Sequence, residues 1–328
     1  MARNYYIFKS GRIRRSQNTI FIETQGERRI LPVNTVDQIF IFGEMDLNTS
    51  FLNFISQNRI VVHFFNYYGY YSGSFVPREE NLSGDLLIKQ VEFYLDPQKR
   101  LEIAKLIVEG ACHNIKRNIE KRKGFDEEVN KIKSYNEAIK DEENINSLMS
   151  LEAHVKKIYY SCIEKITGWE FEKRSIRPPH NPLNALISFG NSMVYAQVLK
   201  AIYETPLNPT ISYLHEPSER RFSLSLDISE IFKPVLSDSL ILKIIDLKII
   251  KEEHFERGLN FAYLTEEGRK TFVKLFDEKL EETVLHRKLK KRVKYKTLIS
   301  LELYRLIKHL LNEKRYKPFI QNPTANIF

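Results

Sequence analysis

Cysteine is nearly missing from this chain: Cys112 and Cys162 are the only two in 328 residues. That excludes a disulfide scaffold and a cysteine-rich zinc site, and it points to a reducing, cytoplasmic compartment. Staples are unnecessary at this length, since such a chain buries on the order of 70–75% of its unfolded surface. Glycine is scarce too, 12 of 328, or about 4% against a usual ~7%, which speaks against a glycine-rich nucleotide-binding fold. No apolar run reaches the ~18 residues of a membrane span. Mean hydropathy is −0.38. The opening MARNYYIFKSGRIRR has no signal-peptide core, so neither a membrane nor secretion is expected. The length suggests about two domains.

What is present is uneven charge. Net charge is +9, with an isoelectric point near 9.2. Between Thr283 and Lys317 there are 12 Lys/Arg and 2 Asp/Glu, a net of +10 in 35 residues, so the other 293 sum to −1. Basicity gathered in one segment is the footprint of a polyanion-binding element, with nucleic acid the first candidate. The competing reading is a solvated cationic helix face.

Glycine also marks a boundary, with six of the 12 falling in the first 86 residues. That first part reads as short strands at 5–8, 19–23, 36–42, 60–65 and 70–76, with one helix over 48–57 capped by Asn48 and burying Phe51, Leu52, Phe54 and Ile55. After Pro77 the periodicity becomes helical. Asp96-Pro97 is a helix start, and helical patterns cover about 98–123, 126–140, 145–167, 183–203, 228–249, 265–287 and 294–314. Lys121 to Glu143 is charge-dense and apolar-poor, the composition of a mobile segment. The expected fold is α+β: a small β-rich domain over 1–86 followed by a larger all-helical domain over 87–328.

Four segments carry candidate chemistry. In the first, SLMSLEAH at 147–154, Glu152 is followed by Lys156 at i+4, the spacing of a surface ion pair. His154 lies two residues on and points elsewhere. In the second, RSIRPPHNP at 174–182, prolines stiffen a connector that presents Arg174 and Arg177, both able to hold phosphates bidentately, ahead of a helix N-terminus. The third runs from LHEP at 214–217 through Arg220 and Arg221 to Asp227-Ile228-Ser229-Glu230. Alternating Phe222, Leu224 and Leu226 drive it into the core, and carboxylates entering a core are paired or bind metal. The blander alternative makes Asp227 a helix cap with Glu230 completing a capping box. One His with one or two carboxylates suits Mn²⁺ or Mg²⁺ better than structural zinc. The other histidines have no persuasive carboxylate grouping, and His63 reads as structural. The fourth segment, RKLKKRVKYK at 287–296, could track a phosphate backbone through Lys290, Lys291, Arg292 and Lys294, with Tyr295 and Tyr316 available to stack on bases.

At these residues the sequence resembles the CRISPR-associated endonuclease/integrase family, the first and most widespread of the Cas proteins, which inserts new spacers. The likeness covers nearly the whole chain: FGEMDLN at 42–48, Ile60 to Gly69, Leu148 to Tyr160, RPP at 177–179 through NALISFG at 184–190, and LHEP at 214–217 followed by DISEIFKP at 227–234. It is most similar to the branch that accompanies type I interference systems.

The resemblance implies an N-terminal β-domain, a helical catalytic domain, and a divalent Mg²⁺ or Mn²⁺ held by Glu152, His215 and Glu230. Asp227 matches the family's additional acid and Lys233 its following basic residue. Two departures stand out: Ala153 where many members have Gly, and Glu230 where many have Asp. The implied activity is DNA cleavage and strand transfer, a DNA 3′-hydroxyl attacking a target phosphodiester. Asp227 would orient His215 or Lys233, or bind a second metal. The implied partners are double-stranded and branched DNA, a second copy of the chain through the β-domain, and a small ferredoxin-like Cas protein. Six aromatics within eight positions (Phe64, Phe65, Tyr67, Tyr68, Tyr70, Tyr71) exceed what a small sheet buries alone, which agrees with the homodimer. Two alternatives stay open: a structural DNA-binding subunit, and a metal-dependent RNase using the same residues.

Overall fold

The computed structural model describes residues 2–77, 81–217, 222–258, 261–286 and 289–321. Arg220 lies outside the described residues. The chain divides into two compact units, 1–80 with 264–273, and 81–263 with 274–328.

The first unit is built on two four-stranded sheets. β1 (Arg3–Ile7), β5 (Val36–Ile41), β7 (Val61–Phe65) and β8 (Tyr71–Phe75) form one, parallel except for the last pair. β4 (Glu27–Pro32), β3 (Thr19–Thr24), β2 (Gly11–Ser16) and the two-residue β6 (Met45–Asp46) form the other. Every strand legible in the sequence is present; β2, β4 and the short β6 are additional, and β2 and β4 are the two of full length. Their arginines hide them: Arg12 and Arg14 flank Ile13, whose side chain is fully buried opposite Ile22, while Arg15, on the same face as Ile13, lays its guanidinium over the Phe54 ring at the sheet's edge. Period-2 alternation puts Arg12 and Arg14 on the outer face and leaves one isoleucine of β2 in the core. α1 (Thr49–Gln57) begins at Asn48, whose side chain accepts the Phe51 N–H, and it buries Phe51, Phe54 and Ile55 among Ile7, Ile13, Ile20, Ile39 and Val62. His63 is structural, its ring spanning Ser74 Oγ at 2.7 Å and Gln38 Oε1 at 2.9 Å.

The second unit is mostly helical: α2 (Gly84–Leu95), α3 (Pro97–Ile119), α4 (Asp126–Ala138), α5 (Ile145–Thr167), α6 (Pro182–Tyr203), α7 (Ser223–Phe232), α8 (Ser239–Asp246) and α10 (Tyr295–Leu310). A ninth helix, α9 (Glu266–Glu281), begins among the residues of the first unit and ends in the second. Asp96 caps α3 by accepting from the Gln98 and Lys99 N–H groups. α6 is apolar all round and almost wholly buried, as the core helix of a large domain should be. Within the charge-dense stretch 121–143, α4 is anchored by buried Ile132. No helix among the described residues is long and apolar enough to cross a membrane. Both cysteines are free and buried.

This part of the chain is not purely helical. β9 (Phe255–Gly258) with β10 (Phe261–Leu264), and β11 (Thr283–His286) with β12 (Lys291–Lys294), form two two-stranded sheets, the second antiparallel and called the β11–β12 hairpin below. The expected helix over 265–287 stops at Glu281, where the β-branched and apolar Thr283-Val284-Leu285 pairs across to Lys294-Val293-Arg292. The expected helix over 228–249 begins earlier, at Ser223, and is interrupted by a π-helical turn, Lys233–Asp238. Pro234 causes the interruption, since it has no N–H to donate and its ring displaces the preceding turn. Two asparagines one turn apart on α3 take up the loosened carbonyls: Asn114 donates to Ile231 O at 2.9 Å and Asn118 to Pro234 O at 2.8 Å.

Candidate active site

Asp227 is central to the site's architecture and caps nothing. α7 opens four residues before it, at Ser223, with no side-chain cap, so Asp227 sits inside the helix, fully buried. Its carboxylate faces the 213–215 loop. Oδ2 accepts the N–H groups of Tyr213 at 2.6 Å and Leu214 at 3.0 Å; Oδ1 accepts those of His215 at 2.9 Å and of the His215 ring at Nδ1, 2.8 Å. Three backbone donors in a loop with no ladder of its own are satisfied by one side chain. Both oxygens are thereby used, leaving Asp227 poorly suited to a second metal. A carboxylate already accepting three N–H groups needs a donor from the ring, so Nδ1 carries the proton, and Nε2 is the nitrogen that holds the lone pair whenever the ring is neutral. Burial alone would lower the His215 pKa, but the hydrogen bond and charge of Asp227, with Glu230 adding to them, raise it above the ordinary histidine value.

The loop is held from the other side as well. Arg100 of α3 donates to Tyr213 O at 3.0 Å and pairs with Glu216 at 2.6 Å, while Ser212 Oγ donates to His215 O at 2.6 Å. Glu216 is thus a loop anchor.

Glu152 on α5 and Glu230 on α7 are both buried, at 7% and 4% exposure. They meet through Lys156, whose Nζ lies 2.8 Å from Glu152 Oε1 and 2.8 Å from Glu230 Oε2. The Glu152–Lys156 pair is therefore no surface ion pair. The i+4 spacing is right, but the pair is buried and shared with a carboxylate 78 positions away. Lys233 closes the other side, its Nζ 2.6 Å from Glu230 Oε1. Burial alone would raise the Glu230 carboxyl; Lys156 and Lys233 outweigh it and hold Glu230 below the ordinary carboxylate range.

Behind this cluster lies a polar layer that sequence reasoning missed. Asp238, at the end of the π-helical turn, is fully enclosed, and burial pushes its carboxyl up to about 7 against a partial opposing pull from Tyr159 and Lys233. Tyr159 in turn accepts from Asn118 at 2.7 Å. Asp238 Oδ1 has no hydrogen-bond partner. Only the apolar run around Asp238 is visible in sequence; its pairing with Tyr159 depends on how α5 and the π-helical turn pack.

The other expected site residues are spread out. Arg174 is tied down, donating to Ser175 O, Asn184 Oδ1 and Ser188 Oγ, which pins the proline-rich connector to α6. Arg177 is exposed on that connector. Lys290, Lys291 and Arg292 are exposed on the β11–β12 hairpin, with Arg292 bonded to Thr283, whereas Lys294 is half-buried and paired with Glu281. Tyr295 and Tyr316 are not stacking platforms: each is about 1% exposed, and Tyr316 donates its hydroxyl to buried Glu302.

Among the described residues no three His, Cys, Asp or Glu groups form a ready-made metal shell. The donor chemistry nevertheless fits a hard dication: two buried carboxylates already enclose a cation, and a nearby imidazole is fixed with Nε2 as its lone-pair nitrogen.

Comparison with known proteins gives a consistent picture. Residues 5–278 match the model of the CRISPR associated protein Cas1 family. A CRISPR-associated endonuclease Cas1 of Moorella thermoacetica is 60% identical over 316 residues, 96% of this chain and 98% of that protein. The solved structure of a Cas1 protein from Thermotoga maritima superposes with a TM-score of 0.89 at 42% identity, covering 97% of this chain and all of the other. A casposase bound to integration product shares the fold, with a TM-score of 0.87 at 19% identity, 98% of this chain and 95% of that one being covered.

Proposed function

The chain belongs to the CRISPR-associated Cas1 family, and from that premise we propose that it is a divalent-metal-dependent DNA endonuclease and integrase of spacer acquisition. Two observations carry the reading: the buried carboxylates of Glu152 and Glu230, from separate helices, share one cation, and the His215 imidazole is locked by Asp227, whose two oxygens are otherwise taken up by backbone N–H groups. A structural DNA-binding subunit would have no use for so costly an arrangement. The relatives' names as endonucleases support the same reading.

In this account Glu152, Glu230 and Nε2 of His215 hold Mg²⁺ or Mn²⁺. When bound, the ion offers positive charge to the attacking oxygen and to the non-bridging phosphate oxygens. Asp227 positions His215 and fixes its tautomer. Lys233 keeps Glu230 ionised and adds positive charge for a phosphate or leaving oxygen. Attack by a DNA 3′-hydroxyl exchanges one phosphoester for another and needs no energy source; water in its place gives hydrolysis.

DNA is held by the exposed cations of the β11–β12 hairpin, with Arg177 contributing; Arg174 supports the connector from within. The same proposal covers a homodimer through the N-terminal unit, where Tyr67 and Tyr68 remain 66% and 47% exposed. It further includes a small ferredoxin-like Cas partner, membership of the type I branch and a cytoplasmic location, each resting on the family motifs. The test is strand transfer of a short duplex into supercoiled plasmid. We expect product with Mn²⁺ and none with chelator, and none from His215→Ala. No product from the wild-type protein with Mn²⁺ would favour the structural subunit; wild-type product from the His215→Ala protein would remove His215 from the ligand set.

A further inference from the structure

Lys156 occupies the space to which the metal reading assigns the ion. Its ammonium is equidistant, at 2.8 Å, from Glu152 Oε1 and Glu230 Oε2. Two cations cannot share that gap, since like charges a few ångströms apart in a buried site repel strongly. We propose that Lys156 is a displaceable counter-cation that competes with the divalent ion for Glu152 and Glu230, so that metal entry and the departure of Lys156 are a single event. The inference rests on the metal reading above and adds to it a residue outside the expected ligand set.

Two features support displacement over permanent bridging. The Lys156 side chain keeps 28% of its surface in solvent, against 9% for Glu152 and 5% for Glu230. It therefore has a way out that the carboxylates lack, and a long, flexible stem needs only a rotamer change to take it. Finally, Glu230 is not abandoned by the exchange, because Lys233 stays on Oε1 at 2.6 Å.

The exchange also changes the charge of the site. With Lys156 in place, two carboxylates face two ammonium groups and the cluster is neutral. With a dication in the gap and Lys156 at the rim, the cluster is positive where a phosphodiester must dock, and the lysine is tethered within reach of it. The bridging lysine thus keeps two buried carboxylates paired until metal replaces it.

The experiment is calorimetric titration of Mn²⁺ into the full-length protein, comparing wild type, Lys156→Gln and Lys156→Arg, with melting curves in chelator and in Mn²⁺. Removing the competing charge should tighten Mn²⁺ binding by about tenfold or more in Lys156→Gln, whereas Lys156→Arg should stay near wild type. Unchanged or weaker binding by Lys156→Gln overturns the proposal and leaves the metal reading standing. No binding by any of the three proteins ends both. If Lys156→Gln folds only when Mn²⁺ is present, that rescue is the predicted replacement of one cation by another. If it stays unfolded at saturating Mn²⁺, the ion does not replace the ammonium and the proposal fails.

Discussion

The carboxylate cluster around Glu152 and Glu230 and the hairpin Thr283–Lys294 both concentrate charge, and they dispose of it in opposite ways. In the cluster every charge is answered inside the protein: Lys156 and Lys233 face the two glutamates, and Asp227 is consumed by four N–H groups. On the hairpin Lys290, Lys291 and Arg292 are exposed to solvent, Arg292 while bonded back to Thr283. The difference follows from the cost of burial. An ion removed from water must be neutralised locally, whereas an exposed ammonium is solvated and screened, so its field remains available to a distant polyanion. The cluster is therefore suited to chemistry, and the hairpin to affinity.

The sharpest way to break that division is to remove one carboxylate. Glu152→Ala or Glu230→Ala should lower cleavage and strand transfer by at least about a hundredfold while DNA affinity stays within about twofold of wild type, since phosphate contacts carry the binding. Gel shifts beside activity assays check this; loss of affinity in parallel with activity would merge the two regions into one. Next in size is Asp227→Ala. It strands three buried backbone donors, so unfolding should become easier by about 3–5 kcal/mol in denaturant titration. A change under about 1 kcal/mol would mean that the loop is held chiefly by Arg100 and Ser212.

On the hairpin the expected effect is in salt dependence. Converting Lys290, Lys291 and Arg292 together to Gln should make the slope of log K against log salt shallower by up to about 2.7, at ~0.9 per phosphate contact, with stability changed by no more than about 0.5 kcal/mol. Binding isotherms of one duplex at several salt concentrations measure it. An unchanged slope would move the polyanion site to the connector around Arg177.

The smallest effect concerns Asp238, the carboxyl buried behind the cluster. Its folded pKa is raised from 3.8 to about 7 by burial. The folded state then binds a proton that the unfolded chain has released, so this group's contribution is intact below the unfolded value and is lost as pH climbs through about 7. Asp238→Asn should raise the melting temperature more at pH 8 than at pH 5. A constant difference between the two pH values would show that Asp238 is ionised throughout.

Much of this is legible in the sequence, and the limits are physical. Alternation and aromatic runs identified five strands of the first unit, because burial on one face leaves a period of two. β2 and β4 escaped because their outer faces are arginine-rich, and a single inward isoleucine such as Ile13 leaves little pattern. Glu152, His215, Asp227 and Glu230 were found through their chemistry and the family motifs. Sequence spacing misled on two of them. Asp227 before Glu230 looked like a cap because the true start of α7 is hidden in the alternating Phe222–Leu226 run. Glu152 and Lys156 looked like a surface pair because nothing local reveals a partner 78 positions on. The basic segment was found by counting, but a count cannot separate Lys290 in solvent from Lys294 on Glu281, nor expose the burial of Tyr295 and Tyr316.

The central claim is that Glu152, His215 and Glu230 hold one divalent ion. Its most direct test is anomalous scattering at the manganese edge from crystals of the protein grown with Mn²⁺. The account predicts a single strong peak bonded to one oxygen of Glu152, one oxygen of Glu230 and Nε2 of His215, with Asp227 still on Nδ1. Mn²⁺ bound elsewhere, or no peak between two carboxylates still bridged by Lys156 at saturating metal, would contradict it.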